Sequence, residues 1–403
     1  HQNKGEKTMK DVWEESNVEV KKINKKKIII TTVVAILVVF ITVLVGLYLS
    51  NEQARDWIDR NIFRKEVQQD KAATIELKEE QNSNIYAFNK YIGILNQTKF
   101  TIYGNTGNEE TSLDIQISNP IFSSANRFLA IAESGGQKLY LIEDKTISWN
   151  AEVEGNILQV HVNKNGYVAV IITGTSYKTV IKMYSPSGEE MFTTFLASTR
   201  AIDVSISNDN KYLAIAEIDT SGTAIQSSIR IMSIEKAKNG ETENSLEKTY
   251  TSEAGKLIAN IRYQNKNKLI CMYTDSITEI ENEQESTLVD NADKKVSFQS
   301  IDLENNICSV EEQSSGLFTA DSIINIVDVD SKSQKQYTVN YVAREIYTSG
   351  NIIALNLGTE IEFINTDGWL VKRYVANQEI TNVVVSNSIA GIIYRDKIEI
   401  INL

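Results

Sequence analysis

The longest hydrophobic signal is residues 28–50, IIITTVVAILVVFITVLVGLYLS, 23 positions without a charge. At about 1.5 Å per residue this makes a helix of roughly 34 Å, enough for a bilayer core of about 30 Å. Its apolar residues cover every face, whereas a helix docked on a protein core keeps a polar stripe. A transmembrane helix is therefore predicted. In residues 54–67, ARDWIDRNIFRKEV, residues Trp57, Ile58, Ile62 and Phe63 share one helical face with Arg and Lys around it. That pattern predicts a membrane-interface helix, with a solvated, charged stalk as the alternative. From about residue 72 onward the period changes. Short runs of Ile, Val, Tyr and Thr alternate with Asn, Ser, Asp and Gly about every 8–12 residues, which predicts an all-β domain.

Internal repetition narrows the fold. Residues 126–133 (NRFLAIAE) match 210–217 (NKYLAIAE) at six of eight positions, 84 residues apart, and a weaker copy at 165–170 (NGYVAV) gives a period near 42. A second marker is out of phase with the first: YGNTG at 103–107, YSPSG at 184–188 and INTDG at 364–368 each end on a glycine suited to a turn. Four antiparallel strands in about 40 residues make one propeller blade. First strands are expected near Asn84, Asn119, Asn156, Ala201, Leu257, Val296, Tyr341 and Ile380. The last repeat has three strands, and residues 73–77 (ATIEL) are expected to supply the fourth and close the ring. The expectation is an eight-bladed β-propeller over 72–403, with seven blades as the alternative. The preceding segments are a basic tail (1–27), the transmembrane helix (28–50) and a juxtamembrane stretch (51–71).

Charge sets the orientation. Residues 1–27 carry net +3 within a chain of net −12, and Lys21, Lys22, Lys25, Lys26 and Lys27 stand directly before the apolar run. Positive flanks stay cytoplasmic, so the propeller is expected outside the cell membrane. A cleaved signal peptide is the rival, although its apolar region is normally about 7–15 residues and 47–51 (LYLSN) is a poor cleavage site. The first residue is His1 rather than Met, so additional cytoplasmic residues are expected ahead of it. The acidic balance argues against nucleic acid as a partner.

Little in the chain signals catalysis. It lacks a G-x-S-x-G elbow, H-E-x-x-H, paired C-x-x-C, a phosphate loop and G-x-G-x-x-G. No enzymatic activity, cofactor or metal is expected. His161 could face the channel as a lone base, though a hydrogen-bonded strand histidine is the ordinary reading. Among the carboxylates, Asp203, Glu133, Glu217, Asp328 and Asp330 default to solvated or locally bonded acids. Cys271 and Cys308 sit in apolar runs and read as buried free thiols. Arg200, Asp203, Arg262 and Arg344 are polar residues expected on first strands near the axis and are candidate channel-lining residues. The loops between second and third strands at 173–178, 218–228 and 311–321 should share one rim, where Tyr177, Lys178 and Phe318 are candidates for binding a protein.

The anchor, the WIDRNIFRKEV juncture and the stretches NPIFSSANRFLAIAE and VSISNDNKYLAIAE together resemble a family of membrane-anchored propeller proteins of clostridia and related Firmicutes, a domain of unknown function. The resemblance implies a fold and a location and carries over no catalytic residue. More loosely, the repeats resemble WD40-like and quinoprotein-like propellers. Asp367-Gly368-Trp369 is similar to a quinoprotein blade turn, but it does not recur, so no quinone cofactor is expected. The function expected is a non-catalytic, protein-binding scaffold in the cell envelope, with an envelope or membrane protein as partner. The alternatives are a channel-centred enzyme or cofactor protein and a ligand or glycan sensor coupled through the anchor.

Overall fold

The computed structural model describes residues 25–50, 58, 73–77, 83–241, 244–264, 267–314, 316 and 320–403. It divides into two units, residues 1–63 and 64–403. In the first, a helix spans Lys25–Ser50. Its segment Ile29–Ser50 is long and apolar enough to cross a membrane, as an anchor or as a signal sequence, and none of it is buried. Thr31, Thr42 and Ser50 return their hydroxyls to the carbonyls of Lys27, Val38 and Gly46. Those polar groups are thus satisfied within the helix, as a hydrocarbon surrounding requires. Ile58 is buried; Trp57, Ile62 and Phe63 lie outside the described residues.

The second unit is eight four-stranded antiparallel sheets. Seven are continuous in sequence: 84–114, 120–152, 157–196, 200–251, 258–290, 296–339 and 345–375. The eighth combines Asn382–Val385, Ile389–Ile393 and Lys397–Asn402 with Ala73–Glu76. Strands a to d follow one another within each blade. The b strands are apolar on both faces: Tyr91–Leu95, Val168–Ile172, Ile352–Asn356 and Ile389–Ile393 are buried at every position. Each blade must therefore cover both faces with a neighbour. Eight apolar clusters do this, one at every junction, including blade eight against blade one. A ring is the only succession in which each sheet has two neighbours, and the count is eight rather than seven.

Close approach of the sheets explains the small residues. Ala130, Ala132, Ala214 and Ala216 are fully buried. A Cβ on Gly93 would lie 2.1 Å from the Phe100 ring, so glycine is required there. The repeated asparagine also has a backbone cause. Asn89, Asn126, Asn210, Asn267 and Asn305 hold positive φ in the a–b turns, and Gly166 and Gly350 hold it in two other blades. Asn and Gly tolerate this region best.

Closure follows the expected pairing, Ala73 opposite Ile400 and Ile75 opposite Ile398. Ser386 Oγ also donates to Asn89 O across the same junction, at 2.6 Å. Two insertions expected as loops are partly strand. In blade four, pairing runs out to Asp219 opposite Gln226, and in blade six to Ser314 opposite Ala320. Continuing the ladder satisfies backbone groups that a polar loop would leave to water. The blade-four insertion between c and d starts a short helix, Ile234–Lys238, capped by Ser233. Blade seven begins at Glu345 rather than near Tyr341.

Ile75→Ala should cost about 2–4 kcal/mol by cavity formation at the closing strand. The check is the denaturant midpoint of the full chain, with the exposed neighbour change Glu76→Gln as a control that should leave it unmoved.

Candidate functional site

First strands border the axis, so their side chains meet in the central channel. Blades three to six share a local device there. Each carries a β-bulge near the start of strand a, between Ile157/Gln159, Ala201/Asp203, Ile258/Asn260 and Val296/Phe298. The a–b pairs of blades one, two, seven and eight run without a shift. A bulge re-aims the side chains that follow it. These four blades contribute His161, Asp203, Arg262 and Asp302, one residue each, to a single cluster.

Arg262 is its centre. Nε donates to Asp302 Oδ1 at 2.8 Å, Nη1 donates to Ile261 O at 3.1 Å, and Nη1 lies 3.3 Å from His161 Nδ1. Nη1 is also 3.9 Å from Asp203 Oδ2, which accepts the Ile261 N–H at 2.9 Å. Burial, and then the Arg262 charge, hold His161 well below its usual range. The ring is therefore neutral at pH 7, with Nδ1 accepting from the guanidinium and the proton on Nε2. Burial pushes Asp203 up, against the pull of Arg262 and two backbone N–H groups. Arg262 is itself held charged by Asp302 and Asp203 against the cost of burial.

The wall opposite is different. Tyr86 and Phe122, from the first strands of blades one and two, stack with ring centroids 4.8 Å apart and planes 17° apart. Tyr86 Oη is 3.3 Å from Ser124 Oγ. Burial raises the Tyr86 hydroxyl, and both walls border the same cavity. Between them lies a cavity of about 370 Å³, and a second of about 540 Å³ opens among the a–b turns.

The structure thus brings Asp203 and Arg262 together in the channel. Arg200 is exposed at the start of its strand, ahead of the bulge. Arg344 precedes strand a of blade seven, pairs with the exposed Glu379 at 2.6 Å, and borders neither cavity. Tyr177 is exposed on the b–c loop of blade three and packs against Phe195 in a tilted pair, ring centroids 4.7 Å apart. Lys178 is beside it, donating its backbone N–H to Leu196 O; Phe318 lies outside the described residues. Glu217 is buried against Arg230, Thr199 and Ser228, and Asp328 caps the turn through Asp330 and Ser331. Among the described residues no group of three His, Cys, Asp or Glu could hold a metal. Asp302, Tyr86, Phe122 and Phe195 were not singled out from the sequence. One signal could have found part of the cluster. Aligned on the positive-φ turn residues Gly166 and Asn267, His161 and Arg262 both stand five positions before the turn.

Residues 64–403 match the family of unknown function DUF5711. The chain belongs to this family. No curated protein matches the DUF5711 chain by sequence. Its fold is similar to Sqt1 of Chaetomium thermophilum, solved bound to the N-terminus of ribosomal protein L10: TM-score 0.51, 9% identity, covering 83% of this chain and 100% of that one. It is also similar to BamB of Moraxella catarrhalis (TM-score 0.49, 11% identity, 83% and 99% covered). AztD of Citrobacter koseri is a third (TM-score 0.46, 11% identity, 74% and 87% covered). At these identities the likeness concerns the propeller fold alone.

Arg262→Met should destabilise the DUF5711 propeller by about 3 kcal/mol, since it strands the buried Asp203 carboxylate. Adding Asp203→Asn should recover part of that loss, measured as a double-mutant cycle by denaturant unfolding. His161 gives a pH test. Its folded-state pKa lies below its unfolded value of about 6.5, so its contribution is complete above that pH and is lost as pH falls through it. Between pH 7.5 and 5.5 the wild type should lose more stability than His161→Gln; equal losses would refute the assignment.

Proposed function

We propose that this chain is a single-pass membrane protein whose propeller stands outside the cytoplasm as a non-catalytic scaffold for a protein partner in the envelope. The orientation rests on the lysines before the apolar helix, since positive flanks remain inside. The binding role is carried by one observation, the uneven distribution of exposed apolar side chains between the two faces of the ring. Of nine large ones exposed on the described propeller, seven belong to the face of the b–c loops and d–a connections: Leu158, Tyr177, Phe195, Ile225, Tyr341, Val342 and Val375. Tyr212 and Leu246 belong to the other, asparagine-rich face. Aromatic residues set in a polar rim are the usual anchors of protein interfaces, and a rigid ring loses little ordering entropy on binding. Sqt1, with its bound ribosomal-protein terminus, is an example of a propeller used in this way.

Two experiments test the reading. Cys271 and Cys308 are buried, with Cys271 pushed well up and Cys308 pushed up to about 12 by burial, so both native thiols should be unreactive. An impermeant maleimide should then label Ser187→Cys in intact cells, and absence of labelling would reverse the orientation. A photo-crosslinker at Tyr177 should capture a protein where one at Tyr212 does not. Phe195→Ala, with the crosslinker kept at Tyr177, should weaken that capture at least about tenfold, as loss of an interface anchor does.

A further inference from the structure

The channel has a chemistry of its own, independent of the docking face. One wall, built by the four bulged strands, is an ordered run of charged donors and acceptors. The other is the Tyr86–Phe122 stack with small hydroxyl residues around it, Ser124 and Thr348 among them. A channel that merely holds water needs neither the bulges nor the aromatic pair. We propose that the central channel binds an uncharged saccharide, its C–H groups packed against the Tyr86–Phe122 pair and its hydroxyls bonded by Asp203, Arg262 and Asp302.

The charge balance selects the class. Arg262 and Lys164 against Asp203, Asp302 and Glu304 leave the cavity walls at about −1 with His161 neutral. That disfavours a phosphate or a carboxylate, and the guanidinium already occupying the centre disfavours a second cation. A sugar hydroxyl both donates and accepts, so it matches a wall where carboxylate acceptors alternate with guanidinium donors. The cavity volumes, about 370 and 540 Å³, fall in the range of small-ligand sites. Pinning of Arg262 by groups from blades three, four and six fixes the donor directions before any ligand arrives.

The test uses the full chain in an amine-oxide detergent, which has no sugar headgroup. Maltose, lactose and diacetylchitobiose are titrated by calorimetry, with inorganic phosphate and ethanolamine as charged controls. At least one disaccharide should bind with a Kd at or below about 1 mM. Phe122→Leu, which removes one ring of the aromatic pair, and Asp302→Asn, which removes one acceptor from a half-exposed position, should each weaken it about tenfold, or roughly 1.4 kcal/mol. Both should remain folded at the temperature of the titration, and either variant suffices if the other unfolds. The proposal is overturned if no disaccharide binds the folded wild type, if both variants bind it unchanged, or if only phosphate or ethanolamine binds.

Discussion

Burial of b strands that are apolar on both faces is the constraint from which the architecture follows. A strand such as Val168–Ile172, with no exposed position, cannot end a stack of sheets. An open stack of eight would leave two such faces in water, and only a closed circle removes them. The closing strand is thus more than a patch on an edge. Ile75 enters the same apolar cluster as Ile92, Ile94, Ile398 and Ile400, so backbone pairing and core packing at the junction are completed together. The termini of the propeller are held by the same forces as its centre.

Much of this was legible because the repeat expresses backbone physics. The asparagine preceding FLAIAE and YLAIAE is the positive-φ residue of a tight turn, and the alanines after it mark where sheets approach most closely. Both are local demands, so they recur in several blades and can be read without a partner strand. The closing pairing was legible for a similar reason, since a three-stranded last repeat leaves an unpaired ladder. Errors came where spacing alone had to decide. Tyr341 and Val342 look like the start of a strand, but they lie exposed in a connection, and Arg344 goes with them. The insertions of blades four and six read as loops because their residues are polar. A hairpin projecting beyond the ring can be polar on both faces and still pair, so composition does not separate the two.

The channel cluster was harder to read for a different reason. Its four residues come from four blades, and no two are closer than 40 positions in sequence. Their convergence depends on bulges, which shift the alternation of a strand by one residue and so break the pattern by which inward-facing positions are counted. Asp203 and Arg262 were noticed for their polarity on an inner strand. Asp302 was missed because it follows strand a rather than lying on it.

The polar arc also has a thermodynamic consequence. Burying Asp203 and Arg262 carries a desolvation cost that their 3.9 Å separation repays incompletely, and Gln264 adds an unpaired acceptor. A channel filled by aliphatic side chains would avoid both. The ring can tolerate the polar arrangement because eight apolar junctions hold it shut independently of its axis. Stability is thereby separated from chemistry: the blade junctions supply the first, which leaves the axis free to hold groups in an order that folding alone does not require. The same separation applies to the b–c face, where Tyr177 and Phe195 remain in water although nothing in the core prevents their replacement by polar residues. The molecule thus departs from the rule of apolar inside and polar outside in two places, at the axis and on a single rim, and in neither does the departure add to the packing that closes the ring.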